Sequence, residues 1–264
     1  NRTLRGAILR QLRMSLVTDS IVNRGLVRGS FEEPEDTVQI KTLGNVAVSA
    51  YSGSLPTPQD ISVDSTPLEA THQFAFAFKA PSNDSASEIA NLFAEEGVNN
   101  LLREAQKYVL GFYTDANLQV TYDPTSDLIS DAVEEAGVKM DDAEAPEAGR
   151  FLVLPPAEVR AISDDVMDRD TPLGDDAIQN GYQGRYKGFN IFKAPTSHFT
   201  STGTSPAYTH AIGGMGTSIA YEDAVLNIRR VPSTDFSGDQ VDGLHVGGGR
   251  VVRPGATLDF RVKQ

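Results

Sequence analysis

The chain has 264 residues, no cysteine and no tryptophan, and carries 23 basic against 36 acidic side chains for a net charge of −13. That balance excludes a general nucleic-acid binder, which needs a dominant basic surface to displace counterions from phosphate. The missing cysteines exclude disulfides, thiolate catalysis and cysteine-based zinc sites together. The length fits one large domain or two ordinary ones with a substantial core, and no run approaches the ~20 apolar residues of a membrane helix.

The charge is unevenly spread. Residues 1–30 carry Arg2, Arg5, Arg10, Arg13, Arg24 and Arg28 against one acid, Asp19, a net +5 that leaves −18 on the remainder. Residues 115–180 alone hold 17 acids against Lys139, Arg150, Arg160 and Arg169. A basic arm on an acidic body admits two readings, contact with nucleic acid or with the acidic body of a neighbouring copy. The plainer alternative is a solvated terminus.

Residues 36–79 read as an extended two-stranded element. Val38, Ile40 and Thr42 alternate with polar neighbours, and Val46, Val48 and Ala50 continue the period of two. On the far side Phe74, Phe76 and Phe78 alternate with Ala75 and Ala77, which puts three rings on one face. Ser54 to Pro67, rich in turn formers, reads as the connection between them. Ser85 and Glu88 then form a capping-box pattern, and Ile89, Leu92, Phe93, Val98, Leu101, Leu102, Ala105, Tyr108, Val109 and Phe112 follow helical spacing. The pattern predicts a helix over 86–110, interrupted at Gly97 by a bend or a close contact.

A second helix is expected over Ser126–Gly137, followed by an acidic loop from Asp141, the strand Arg150–Leu154, a stop at Pro155-Pro156 and a short helix over Ala157–Ile162. Residues 181–192 read as two strands punctuated by glycine turns, and Leu258, Phe260 and Val262 as a closing strand. Helices and strands mix without regular βαβ alternation, which predicts an α+β fold.

Catalytic constellations are absent locally. No phosphate-cradling glycine loop, Gly-x-Ser-x-Gly elbow or two-histidine zinc motif occurs, and Gly213-Gly-Met-Gly216 reads as a flexible turn. His72, His198, His210 and His245 lie far apart, so a hydroxyl–imidazole–carboxylate triad would have to assemble in the fold. The acidic cluster Asp164, Asp165, Asp168, Asp170, Asp175 and Asp176 fails the helix–loop–helix calcium pattern, with Pro172 and Leu173 at the critical places, and reads as a solvated surface. No catalytic, cofactor or metal site is therefore assigned.

The order of elements is more informative: basic arm, extended loop, long amphipathic helix, acidic mixed region, closing strands. With Ser20–Arg24 and Glu35–Ile40, Gly149–Pro156, Asn180–Ile191 and Asp239–Pro254, this order resembles the tailed-phage major capsid proteins of the Hong Kong 97 type. Val246-Gly-Gly-Gly249 departs from the family, in which an aromatic often precedes a single glycine. The resemblance implies an N-terminal arm over 1–35, an extended loop over 36–80, a peripheral domain over 81–114 and 226–264, and an axial domain over 115–225. It further implies hexamers and pentamers of identical chains enclosing double-stranded DNA without sequence-specific binding. Portal, scaffolding and decoration proteins would be further partners. The six arginines of the arm and Phe74, Phe76 and Phe78 would then contact neighbouring subunits. Lys41 lies in the loop, where some relatives crosslink, but no partner is identifiable. Two rivals stand beside this reading: an encapsulin-type compartment with the same fold, and a soluble hydrolase or carbohydrate-binding protein using the acidic cluster.

Overall fold

The computed structural model describes residues 20–43, 63–81, 97, 100–101, 103–167, 184–232 and 238–264. Its largest sheet is mixed and is built around Arg150–Leu154 (β6), all five of whose residues are buried. A strand hydrogen-bonded on both sides and covered on both faces needs such continuous apolarity. Strand β6 pairs in parallel with Phe189–Lys193 (β8) and antiparallel with Tyr208–Met215 (β10). The sheet order is Leu118–Tyr122 (β5), Thr257–Lys263 (β13), β10, β6, β8, then Arg185–Tyr186 (β7), with Thr200–Thr202 (β9) also on β10. The expected strand pair in 181–192 is the β7–β8 hairpin, turned by Lys187 and Gly188, both at positive φ.

The sequence reading of Gly213-Gly-Met-Gly216 as a turn holds only at Gly216, which follows the end of β10. Gly213 and Gly214 lie inside β10, where a Cβ would sit 3.0 Å from Leu152 and 2.9 Å from the Ala256 carbonyl. They are glycines because neighbouring chains approach closely, not because the backbone turns.

Helix α1 is described over 103–110. Gly97, in helical conformation one turn and more before it, has Phe76 3.4 Å from where its Cβ would stand, an ordinary contact distance, so the ring lies against this position without requiring glycine there. The capping residues Ser85 and Glu88 lie outside the described residues. Helix α2 spans Ile129–Asp142 rather than Ser126–Gly137. Its start is shifted because Asp123 accepts from Thr125 and Asp127 from the Asp123 amide, winding residues 123–127 into a local turn. Its end is shifted because Arg150, 3% exposed, binds Asp141 at 2.6 Å and the Pro146 carbonyl at 3.1 Å, drawing the acidic residues into the helix end. Helix α3 runs Pro156–Met167, with proline in the first turn as expected. Val133, Ala136 and Met140 of α2 and Ile162 of α3 join Phe151, Phe189 and Phe260 in one core.

The pairing expected within 36–79 is also corrected. Thr37–Leu43 (β2) pairs with Val63–Glu69 (β3), and Val27–Arg28 (β1) completes that small sheet in the order β1-β2-β3. The supposed connection through Pro67 is thus partly a strand, on the sheet edge, where a residue without an N–H is tolerated. The aromatic strand His72–Pro81 (β4) belongs to another sheet, ordered Ile219–Pro232 (β11), Gly238–Val251 (β12), β4. The chain as a whole exposes 15328 Å², against roughly 11,000 Å² for a compact monomer of its mass.

Candidate assembly surface and the joint at its root

The sheet β11-β12-β4 has two faces set by the strand period. Register places Tyr221 opposite Gly249, Asp223 opposite Gly247, Gly247 opposite His72, His245 opposite Phe74 and Gly243 opposite Phe76, so all share one face. The other face carries Ala220, Ala224 and Val246, which pack with Phe31, Val38, Ile40 and Leu68 of the small sheet and its approach.

Glycine on β12 makes room for the first face. A Cβ on Gly249 would stand 2.5 Å from Phe112 and 3.1 Å from Tyr221, one on Gly247 3.0 Å from the Tyr221 hydroxyl, and one on Gly243 2.6 Å from Phe76. On the opposite face, a Cβ on Gly248 would meet the Glu69 carbonyl at 2.3 Å. The triple glycine Gly247–Gly249 therefore lies within strand β12, and the aromatic volume around it comes from neighbouring elements.

The predicted contact residues fall into different settings. Phe76 lies over Gly243 and Gly97 and stacks with Phe78, ring centroids 6.3 Å apart. Both are half-buried, whereas Phe74 is 38% exposed. The aromatic face is thus turned partly onto its own chain, with Phe74 the most exposed of the three rings. Arg28 is exposed on β1. Arg24 is engaged internally: its guanidinium pairs with Asp223, lies 3.8 Å from Glu222 and sits 5.1 Å from the Tyr221 ring centre. Arg2, Arg5, Arg10 and Arg13 lie outside the described residues.

The root of this sheet contains a polar cluster that the sequence did not announce. The Asp223 carboxylate has no side-chain exposure and accepts from Arg24 and, at 3.2 Å, faces Nε2 of His245. The His245 ring meets His72 edge-on at 5.6 Å between centroids. His72 in turn packs on Tyr108 of α1 at 4.7 Å and on Phe74 at 4.5 Å. The Tyr108 hydroxyl shares a hydrogen bond with Thr71 at 2.7 Å and accepts from the Gly249 amide at 3.2 Å. Burial, then the neighbouring His245, lowers His72 to about 4, while burial pushes the Tyr221 phenol well above its ordinary range.

A second polar row lies in the mixed sheet. Thr202 Oγ1 is 2.6 Å from His210 Nε2, and His210 Nδ1 is 2.9 Å from Asp259, which also accepts from Arg261 at 2.7 Å. This is the hydroxyl–imidazole–carboxylate order of a triad, but here it stitches β9, β10 and β13, with Tyr113 stacked on the imidazole at 4.3 Å. Of the acidic cluster, Asp164 lies 4.0 Å from Arg160 and Asp165 accepts from Tyr186 at 2.5 Å. Asp168, Asp170, Asp175 and Asp176 lie outside the described residues. Among the described residues no group of three or more acidic or histidine side chains converges as a metal site.

The whole chain is similar to phage shells. The structure from Mycobacterium phage Che8 matches with a TM-score of 0.67 at 20% identity, covering 93% of this chain and 91% of that one. The capsid of Ralstonia phage GP4 gives 0.63 at 8% identity, over 88% and 84%. The head structure of Helicobacter pylori bacteriophage KHP40 gives 0.61 at 10% identity, over 94% and 92%. No protein-family model and no curated protein matches the sequence. The fold is accordingly the α+β, Hong Kong 97-type fold of phage capsids.

Proposed function

We propose that the chain is a major capsid protein, a structural subunit that assembles with copies of itself into an icosahedral shell around double-stranded viral DNA. The observation that carries this reading is the match to phage capsids over nine-tenths of both chains. The exposed Phe74, the Arg28 side chain and the basic segment before residue 30 supply contact chemistry for a neighbour whose body is strongly acidic. Subunits would close as hexamers and pentamers, with residues 1–35 as arm, 36–80 as extended loop, 81–114 and 226–264 as peripheral domain, and 115–225 as axial domain. Portal, scaffolding and decoration proteins would be the other partners; the place of action is the virion, with assembly in the host cytoplasm. The role is structural and needs no catalytic group or cofactor.

Purification followed by size-exclusion chromatography and electron microscopy tests it. Closed shells of megadalton mass support the reading. A stable monomer or dimer under all assembly conditions, including supplied scaffolding protein, overturns it.

A further inference from the structure

All four histidines are buried, at 0–8% exposure, but they are not equivalent. His210 has both ring nitrogens in hydrogen bonds, to Thr202 and Asp259. His72 Nε2 and His245 Nδ1 are buried and have no hydrogen-bond partner among the described residues. These two rings touch at the root of the β11-β12-β4 sheet, where it meets α1.

Among the described residues, the charges facing them are few. From β11 come Asp223 and Glu222, from the segment before β1 Arg24, and from α1 Glu104 and Tyr108; Tyr221 completes the setting. The nearest carboxylate, Asp223, already serves Arg24 and His245. A proton arriving on His72 would therefore place a cation beside a ring that is itself bound to that carboxylate.

We propose that the His72–His245 pair is a proton-sensitive joint: when His72 takes a proton from solvent, β4 and β12 part locally from α1, while the mixed sheet stays closed. The strands run on from this joint nine residues to Pro81 in β4 and back seven residues from His245 to Gly238 in β12, or about 23–30 Å at ~3.3 Å per residue. A small rotation at the root is thereby amplified at the far end of the sheet, where an assembled neighbour would feel it. The inference concerns the fold itself and stands apart from the shell reading.

The size of the effect follows from linkage. A histidine at its ordinary 6.5 when freed to solvent, but at about 4 in the closed joint, makes opening about a hundredfold more populated at pH 4 than at pH 7. Hydrogen–deuterium exchange with mass spectrometry on the full chain, corrected for the intrinsic pH dependence of exchange, reads this peptide by peptide. Peptides from 72–81, 103–112 and 238–251 should lose protection by about that factor, while those from 208–215 and 257–263 keep theirs. His72→Phe should reduce the acid response to less than about tenfold, and His210→Gln should leave it unchanged. An undiminished response in His72→Phe, or an equal loss in every sheet, overturns the proposal. Should His72→Phe fold poorly, exchange of the imidazole C2 hydrogens in the unmodified protein decides the matter. His72 must then titrate near pH 4, and a midpoint between 6 and 7 refutes the joint.

Discussion

Adding one methyl group at Gly249 tests the packing account of the triple glycine directly. In Gly249→Ala the new Cβ would stand 2.5 and 2.7 Å from two Phe112 ring atoms and 3.1 Å from Tyr221, about 1 Å inside ordinary carbon contact. The Phe112 ring cannot simply swing away, because Tyr108 sits edge-on against it at 5.1 Å. Overpacking of this kind costs about 1–3 kcal/mol, offset by about 0.4–1 kcal/mol from the stiffer unfolded chain. The net loss should be about 1–2 kcal/mol, a fall of roughly 2–8 °C in Tm for a chain of this size. Calorimetry on unassembled subunit measures it, with Gly255→Ala as control, since nothing lies within 4 Å of the Cβ position there. Phe112→Leu should remove the clash, so the double variant should be more stable than the sum of the single losses allows. If Gly249→Ala matches Gly255→Ala, or shows no coupling to position 112, the glycine is not there for the aromatic rings and the argument fails.

Other outcomes follow from the same contacts. Arg24→Met removes the guanidinium from the unexposed Asp223 carboxylate and should cost about 3–5 kcal/mol in urea unfolding; Arg28→Ala, on an exposed position, should stay within about 0.5 kcal/mol. Phe74→Ser should leave the subunit's Tm nearly unchanged and lower the yield of closed shells in light scattering, whereas a loss of Tm with normal assembly would assign the ring to its own fold. Hydrogen bonds from Lys263, then Thr125, hold Asp123 down to about 2. Because the folded value is depressed, the stabilisation exists above the unfolded value near 3.8 and disappears as pH falls toward 2. Asp123→Asn should therefore be less stable than the parent at pH 6 and equal to it below pH 2 in acid unfolding. Finally, if the acidic body outside the first thirty residues lines the interior of the proposed shell, emptied shells should retain little DNA at any salt concentration; strong retention would contradict this.

What could be read from the sequence was whatever depends on neighbours a few residues apart. The strand Arg150–Leu154, the hairpin around Gly188, the proline-led helix at Pro156 and the closing strand at 257–263 each follow from local period and turn chemistry. Gly97 was legible as an irregularity, but the Phe76 ring that lies against it was not. The misreadings share one physical origin. Gly213 and Gly214 look like a turn from within the chain, yet their lack of a side chain, like that of the glycines at 247–249, answers to Leu152, Ala256, Tyr221, Glu69 and Phe112, all distant in sequence. Likewise β4 carries an alternation that marks it as a strand but says nothing of whether β2 or β12 is its partner.

The joint shows the same limit in chemical form. Arg24, His72, Tyr108, Asp223 and His245 are unremarkable one at a time, and the Arg24–Asp223 pair spans 199 positions. Their meeting is set by strand register: Asp223, Gly247 and His72 lie in one cross-strand row, and the glycine between the two polar side chains leaves the space that the His245 ring reaches from two residues away. A larger residue at 247 would meet the Tyr221 hydroxyl at 3.0 Å and close that space. Gly247 is therefore also the residue that lets the His245 ring reach the buried Asp223 carboxylate beside His72, which ties the glycine run to the acid sensitivity proposed for this fold.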